Sequence, residues 1–113
     1  MPSIFTKIIN KEIPAKIVHE DEVCIAFHDI NPQAPIHVVI APKKEIRSLA
    51  DIEKGDEKIL GHLLTAASTV AQKLEIDKSG YRVVINTNDD GGQTVFHIHL
   101  HLLGGRALGW PPG

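Results

Sequence analysis

Hydrophobic and polar positions recur with two different periods along this chain. From residue 56 to about residue 75 the apolar positions repeat at steps of three and four, which is typical of an amphipathic helix packed on a sheet. The stripe consists of Ile59, Leu60, Leu63, Leu64, Ala67, Val70, Ala71 and Leu74. His62 lies off this stripe, and we interpret it as a solvated side chain.

Between residues 97 and 102 the period is two. His97, His99 and His101 alternate with Ile98, Leu100 and Leu102. Because successive side chains of a strand point to opposite faces, this pattern predicts one face of imidazoles and one aliphatic face. Each step of two residues advances about 6.6 Å, so the rings would form a row beside a space of phosphate size.

The other patterns predict shorter elements. Ser3 can cap a short helix over residues 4–10, and residues 16–20 and 23–29 favour a hairpin. Further strands are predicted at 36–41 and 81–85, and a polar loop after Asn86 leads into the histidine strand. This order indicates an α+β fold with a largely antiparallel five-stranded sheet, one long helix and one short helix. We expect one domain over residues 1–113.

Composition excludes several classes of protein. Of the 113 residues, 42% are hydrophobic and 23% are charged, which is ordinary for a globular chain. The net charge of -2 disfavours broad binding of nucleic acids. Cys24 is the single cysteine, so a disulfide within the chain is impossible and a reducing compartment is expected. No leader or membrane-spanning pattern is visible, so we expect a cytoplasmic protein without membrane or nucleic-acid partners.

The alternating histidines are the strongest candidates for chemistry. Imidazole titrates near neutrality and can act as a nucleophile or carry a proton, and a purely structural role is disfavoured for a row of three. Zinc binding is the main rival. The outer two histidines would lie roughly 13 Å apart, so a metal would need a ligand from elsewhere, such as His37. His37 is either a core histidine with satisfied hydrogen bonds or a partner of the catalytic groups, and we favour the second.

These residues resemble a known family. His97-Ile98-His99-Leu100-His101-Leu102-Leu103 is similar to the motif of the histidine triad (HIT) superfamily, and the ending Trp110-Pro111-Pro112-Gly113 looks like its histidine triad nucleotide-binding (Hint) branch. Segments 4–9, 12–15, 26–30, 32–35 and 91–93 match in the same order. The resemblance implies a HIT-like fold, with the sheet continued across a homodimer.

The resemblance also implies a function. Members of this branch are purine nucleoside phosphoramidases, in which the position of His99 is the nucleophile that forms a nucleotidyl intermediate. His101 would assist at the phosphate, while His97 and His37 orient the array, and neither metal nor cofactor is needed. The implied nucleotide-binding residues are Ile4, Phe5, Ile8, Phe27, Asp29, Ile30, Asn86, Gly92, Gln93, Thr94, Val95, His99, His101 and Trp110.

Within that set, the resemblance assigns Asp29 to the ribose hydroxyls and the Trp110 tail to the partner's site. Thr94 stands where the branch commonly has serine, so an added methyl narrows the space for the leaving group. Alternative functions are a regulatory nucleotide-binding module, a dinucleoside polyphosphate hydrolase or a nucleotidyl transferase of the same superfamily. Metal-dependent hydrolysis is a further alternative, which sensitivity to chelators would reveal.

Overall fold

The computed structural model describes residues 2–113. It contains two α-helices and five strands, namely α1 (Ile4–Ile9), β1 (Ile17–Glu20), β2 (Cys24–His28), β3 (Ile36–Pro42), α2 (Glu57–Lys73), β4 (Tyr81–Val84) and β5 (Leu100–Gly104). Single turns of 3₁₀ helix at Leu49–Asp51 and Lys54–Asp56 lead into α2. The strands form one antiparallel sheet in the order β1-β2-β3-β5-β4. The predicted α+β class is therefore confirmed.

The short helix α1 begins where the sequence predicts. Ser3 has an extended backbone, and its side-chain oxygen accepts a hydrogen bond from the Thr6 amide. This bond satisfies one of the amide groups that the first turn of a helix leaves without a partner. Phe5 and Ile8 are the buried residues of α1, and they hold the helix on one face of the sheet.

Each face of the sheet is covered by one helix. On one face the core contains side chains from the central strands and from α2, with Ala26, Val38, Ile40, Leu63, Val70, Leu100 and Leu102 among its members. On the other face Phe5 and Ile8 of α1 pack with Ile25, Phe27, Val39 and Ala41. Neighbouring residues of β2 and β3 therefore belong to opposite faces, as the period of two requires.

The register of the central strands brings histidines to the α1 face. Val39 of β3 is paired with His101 of β5, and Leu102 of β5 lies in the α2 core. Since His37 is two residues before Val39, it shares the face on which His101 lies. Residues that are distant in the sequence thus become neighbours on one side of the sheet.

Three details differ from the sequence prediction. The strand predicted from residue 97 begins only at Leu100, because its pairing with β3 reaches no earlier than Leu100. The Ile98 amide instead donates to the Ile46 carbonyl, so this segment is held against the loop that contains Ile46 and not against a strand. Leu64 is 54% exposed, although the stripe predicted it to face the sheet. His62 is not merely solvated, since its Nε2 lies 2.7 Å from Oδ2 of Asp21.

Within residues 2–113, no helix has the length and apolar character needed to cross a membrane.

Candidate active site

A cavity of about 440 Å³ lies between α1 and the sheet. Its walls are formed by α1, the ends of β2 and β3, the segment before β5, and β5 itself. The lining residues are Ile4, Phe5, Ile8, Ile13, Pro14, Ala15, Phe27, His28, Asp29, Ile30, Asn31, Gln33, His37, Val39, Thr94, Val95, His99 and His101. This size and mixture of apolar and polar groups suit a small-molecule site.

The local chain geometry determines the proton position on His99. Its Nδ1 lies 2.7 Å from the His97 carbonyl oxygen, which can only accept a hydrogen bond. Nδ1 therefore carries the proton, and in the neutral ring Nε2 keeps a free lone pair. Phe5 packs edge-on against this ring, with centroids 4.8 Å apart, and so restricts its orientation. His99 is thus a buried imidazole whose Nε2 lone pair can act as a nucleophile.

His97 has a structural role beside this site. Its side chain is completely buried and does not line the cavity. Nε2 donates to the Pro42 carbonyl at 2.7 Å, so Nδ1 accepts, and Ser3 Oγ lies 3.0 Å from it. The sequence predicted three rings in one row; His99 and His101 line the cavity, whereas His97 is buried beside it, with its ring 6.0 Å from that of Phe5. The ring anchors the peptide whose carbonyl holds His99.

A second chain of hydrogen bonds determines the proton on His101. The Gln33 amide donates to Nδ1 of His37 at 3.0 Å, which leaves the His37 proton on Nε2. That nitrogen lies 2.9 Å from Nδ1 of His101, so Nδ1 accepts and the His101 proton is on Nε2. The centroids of the His99 and His101 rings are 4.9 Å apart. The acceptor nitrogen of His99 and the N–H donor of His101 therefore lie next to each other at the cavity.

Burial keeps these imidazoles neutral. It lowers the pKa of His99, and the hydrogen bond to the His97 carbonyl offsets the effect only in part. Burial, followed by the nearby His99 and His37, lowers the pKa of His101 to about 4. Burial also lowers the pKa of His37, although the Asp29 carboxylate acts in the opposite direction. All three rings are therefore uncharged at neutral pH.

A family model described as the HIT domain matches residues 10–108. The chain belongs to the HIT domain family. A HIT-like protein of Synechocystis sp. is 54% identical over 111 residues, which cover 98% of this chain and 96% of that protein.

Solved HIT structures agree with the fold. A crystal structure of a HIT family hydrolase from Legionella pneumophila has a TM-score of 0.97 and 49% identity, covering 99% of this chain and 100% of that chain. A histidine triad nucleotide-binding protein from Candida albicans has a TM-score of 0.83 and 32% identity, covering 97% and 83% of the two chains.

The remaining part of the HIT cavity divides into a polar rim and an apolar floor. Asp29 follows β2, and its Oδ1 accepts from the Asn31 amide at 2.8 Å. Its Oδ2 lies 3.4 Å from Nε2 of His37, which links the carboxylate to the imidazole pair. Ile4, Ile8 and Phe27 line the apolar part. Ile30 stands at the mouth and is 98% exposed.

The loop before β5 has an internal structural role. The Gln93 amide group donates to the carbonyls of Arg47 and Val95, and its side-chain oxygen accepts from the Asn88 amide. All of its side-chain polar atoms are thus engaged with the backbone. A Cβ at Gly91 would lie 2.5 Å from the Thr87 carbonyl oxygen, so only glycine fits there. This loop presents Thr94 and Val95 to the cavity.

The structure gathers most of the predicted site residues, but not all of them. Asn86, Gly92 and Gln93 do not line the cavity, and Trp110 is 83% exposed on this chain. Their contacts with a nucleotide stay predictions. Sequence reasoning missed the roles of Ser3 and Gln33 as donors to histidines. The cap pattern located Ser3 at the start of α1, but only the folded chain brings it to His97.

The cavity also contains three side chains of the types that bind metals. One ligand atom from each of Asp29, His37 and His101 lies within 4.8 Å of the others. The sequence predicted His37 as the additional ligand that a zinc site would need, and in the structure His37 contacts His101. However, the proton on His37 Nε2 already joins these two rings in a hydrogen bond. An ion bound between these two rings would have to displace that proton.

Proposed function

We propose that this protein is a purine nucleoside phosphoramidase that hydrolyses the P–N bond of adenosine or guanosine 5′-monophosphoramidates. The observation that carries the proposal is the hydrogen bond of 2.7 Å between His99 Nδ1 and the His97 carbonyl. It leaves the lone pair of His99 Nε2 free to act as a nucleophile beside the cavity. The neighbouring His101 offers an N–H group. A nucleophile next to a donor for phosphoryl oxygens is what displacement at phosphorus requires.

The reaction would proceed in two displacements. The lone pair of His99 Nε2 attacks phosphorus, and the electron pair of the P–N bond leaves with the nitrogen. A substrate protonated on that nitrogen releases a neutral amine. His101 Nε2–H stabilises the phosphoryl oxygens in this step. The His99–phosphorus bond produces an imidazolium, whose Nδ1–H strengthens its hydrogen bond to the His97 carbonyl.

Water completes the turnover. It attacks the phosphorus of the nucleotidyl-histidine, the bonding pair returns to His99 Nε2, and the proton of the water is lost to solvent. The nucleoside monophosphate then departs, and the neutral imidazole is restored. Burial of His99 favours this return, because it lowers the pKa of the ring and so favours the uncharged form.

The cavity offers a separate place for each part of a nucleotide. Phe5, Ile8 and Phe27 provide an apolar floor for a purine ring. Asp29 lines the same cavity beside His37, where its carboxylate can accept hydrogen bonds from ribose hydroxyls. The solved relative from Candida albicans is described as a histidine triad nucleotide-binding protein, which supports a nucleotide as the ligand.

A substrate panel tests this proposal directly. Adenosine and guanosine phosphoramidates, dinucleoside polyphosphates and sugar nucleotides are incubated with the protein, and the products are resolved by chromatography. We expect nucleoside monophosphate and free amine to form fastest. Rapid quenching followed by mass spectrometry should detect a nucleotidyl adduct on His99. Faster cleavage of dinucleoside polyphosphates would assign the protein to the hydrolase branch instead.

We also propose a homodimer in which the Trp110 tail of one protomer reaches toward the site of its partner. Strand β4 is an edge strand, and Leu64 and Tyr81 are exposed by 54% and 38%. Exposed apolar groups and an open edge are features that association can cover. Within its own chain, the tail is attached through the bond between Arg82 and the Gly109 carbonyl.

Light scattering at micromolar concentration should give about twice the chain mass of 12.4 kDa. Deletion of residues 109–113 should alter the preference among leaving groups while the dimer persists. A monomer whose selectivity is unchanged by the deletion would contradict both parts of this proposal.

A further inference from the structure

A second group of metal-binding side chains lies at the opposite end of β2 from the cavity. It comprises His19 of β1, Asp21 of the hairpin turn, Cys24 of β2 and His62 of α2, and we call it the Asp21 cluster. Nε2 of His19 lies 2.9 Å and Nε2 of His62 lies 2.7 Å from the same oxygen, Oδ2 of Asp21. The sulfur of Cys24 is 3.8 Å from that oxygen.

The position of this cluster separates it from the proposed chemistry. Cys24 begins β2, whereas Asp29 follows the end of the same strand. Five residues of extended chain span roughly 16 Å, so an ion at the cluster could not contact the reacting groups. The cluster connects two parts of the fold, because its members belong to the β1–β2 hairpin and to the helix that covers it.

The turn orients the carboxylate of Asp21. Oδ1 accepts from the Val23 amide at 2.8 Å and from the Cys24 amide at 2.9 Å, so this oxygen is fully engaged. Oδ2 is left to face the two imidazoles. A carboxylate held in this way by backbone amides resembles the supported ligands of metal sites, in which outer hydrogen bonds determine the orientation of each ligand.

Three of the ligand atoms lie close enough together to contact one small ion, and the fourth, Nε2 of His62, contacts Asp21. Zinc bonds of about 2.0–2.3 Å place neighbouring ligand atoms roughly 3.3–3.8 Å apart. Ligand atoms of His19, Asp21 and Cys24 all lie within 4.8 Å of one another. The two imidazoles, at 2.7 and 2.9 Å from Oδ2, need to move outward by less than about 1 Å to admit the ion.

An ion pair alone does not account for the composition of the cluster. Two imidazoles and a carboxylate could form a salt bridge, but that arrangement needs no thiol. Cys24 is fully buried and lies on the side of the cluster that faces the protein interior. The side chains of His19, Asp21 and His62 are 27%, 31% and 37% exposed. Solvent therefore reaches the outer side, which provides an entry path for a metal.

We propose that His19, Asp21, Cys24 and His62 form a site for a divalent zinc-type ion, which joins the β1–β2 hairpin to α2. Two nitrogen donors, one oxygen and one thiolate sulfur suit zinc rather than magnesium or calcium, which prefer oxygen ligands. When the ion binds Nε2 of each neutral imidazole, the single ring proton moves to Nδ1, and the proton of the Cys24 thiol passes to solvent. Its role is to stabilise the fold.

Cobalt(II) provides a direct spectroscopic test, because it occupies zinc sites and reports the ligands. Metal-stripped protein is titrated with Co²⁺ alone, and absorbance is followed for the thiolate charge-transfer band in the near ultraviolet and for tetrahedral bands in the visible. We expect both to saturate at one equivalent and to disappear when Zn²⁺ is added. Zn²⁺ alone should raise the Tm of the stripped protein.

Matched variants locate the ion. Cys24→Val and His62→Gln should each weaken metal binding by at least about 100-fold, since loss of outer partners alone costs roughly 10–100-fold. His62 is partly exposed, so His62→Gln gives a folded variant even if Cys24→Val does not. His28→Gln is the control for a histidine outside both groups of ligands, and it should bind like the wild type.

The competing location is the Asp29, His37 and His101 group of the cavity. If His37→Asn removes the metal and His62→Gln does not, the ion belongs to the cavity and the proposal is overturned. Absence of the thiolate band in wild-type protein overturns it equally. Retention of the band and the Tm increase in His37→Asn, with loss of both in His62→Gln, supports it independently of the enzymatic proposal.

Discussion

The two histidine-rich regions of this molecule use the same side chain in different surroundings. Around the cavity, His37, His97 and His99 are each held by main-chain amides or carbonyls. In the Asp21 cluster, two imidazoles share one carboxylate oxygen. Buried rings held by neutral groups stay uncharged and can act as nucleophiles, whereas rings around an anion can admit a cation.

The contrast extends to the acids. Burial raises the pKa of the Asp21 carboxyl, but hydrogen bonds from His62 and His19, with two backbone amides, lower it well below its usual range. Burial raises the pKa of the Cys24 thiol to about 12, so the thiol is neutral without a metal. The cluster therefore holds one fixed negative charge, while the cavity has Asp29 at its rim.

The largest effect is expected for the proposed nucleophile. His99→Ala should lower turnover of an adenosine phosphoramidate by at least about 10⁴-fold, because no other lone pair is held beside the phosphorus. Nucleotide binding, measured by calorimetry, should change little. His62→Ala is the matched control from the Asp21 cluster and should keep full turnover. Near-normal hydrolysis by His99→Ala would rule out the covalent route.

His101→Ala should reduce kcat by about 10²–10³-fold, the usual cost of removing one donor to a charged transition state. His101→Gln should recover part of this loss, since its amide can donate to a phosphoryl oxygen. Steady-state kinetics on the two variants measure the difference. If glutamine and alanine are equally impaired, His101 does not act as a hydrogen-bond donor.

Asp29→Asn should weaken the binding of ribonucleotides by roughly tenfold, because a charged acceptor forms stronger hydrogen bonds than an amide. Binding of the 2′-deoxynucleotides should weaken less, since they lack one of the hydroxyls. Calorimetric titration of both wild type and variant with each nucleotide gives the comparison. Equal losses for the two sugars would place Asp29 away from the ribose.

Acid should destabilise the protein through the cavity histidines. Their folded pKa values are lower than the unfolded value of 6.5, so the folded state binds fewer protons than the unfolded state at mildly acidic pH. Their contribution to stability is complete above pH 6.5 and is lost as pH falls toward about 4, the pKa of His101. Chemical unfolding between these pH values should show the decline. His101→Gln should reduce its slope, and an unchanged slope would exclude this residue as a cause.

The smallest effect on catalysis is expected from removal of metals. Exhaustive chelation should leave turnover unchanged, because donors and neutral imidazoles satisfy the proposed reaction without an ion. The same treatment should lower the Tm if zinc occupies the Asp21 cluster. Measuring both quantities on one sample separates the two regions. If chelation abolishes turnover and added zinc restores it, the functional metal lies in the cavity.

The sequence predicted the elements of the fold because local patterns determine them. Ser3 begins α1, the period of three and four produces α2, and turn residues separate β1 from β2. The alternation around His101 also predicted which side of β5 packs into the core, since Leu100 and Leu102 are buried. The resemblance to the HIT family identified His99 and His101 as cavity residues, where the structure places both.

Only the tertiary structure decided which groups meet. His37 and His101 are 64 positions apart, and Asp21 and His62 are 41 apart. No periodicity within a short segment can encode such contacts, because they depend on strand order and on how α2 lies across the hairpin. The same reason explains how His97 is held beside the cavity: its nitrogens find partners in Ser3 and Pro42, which other parts of the chain bring to it.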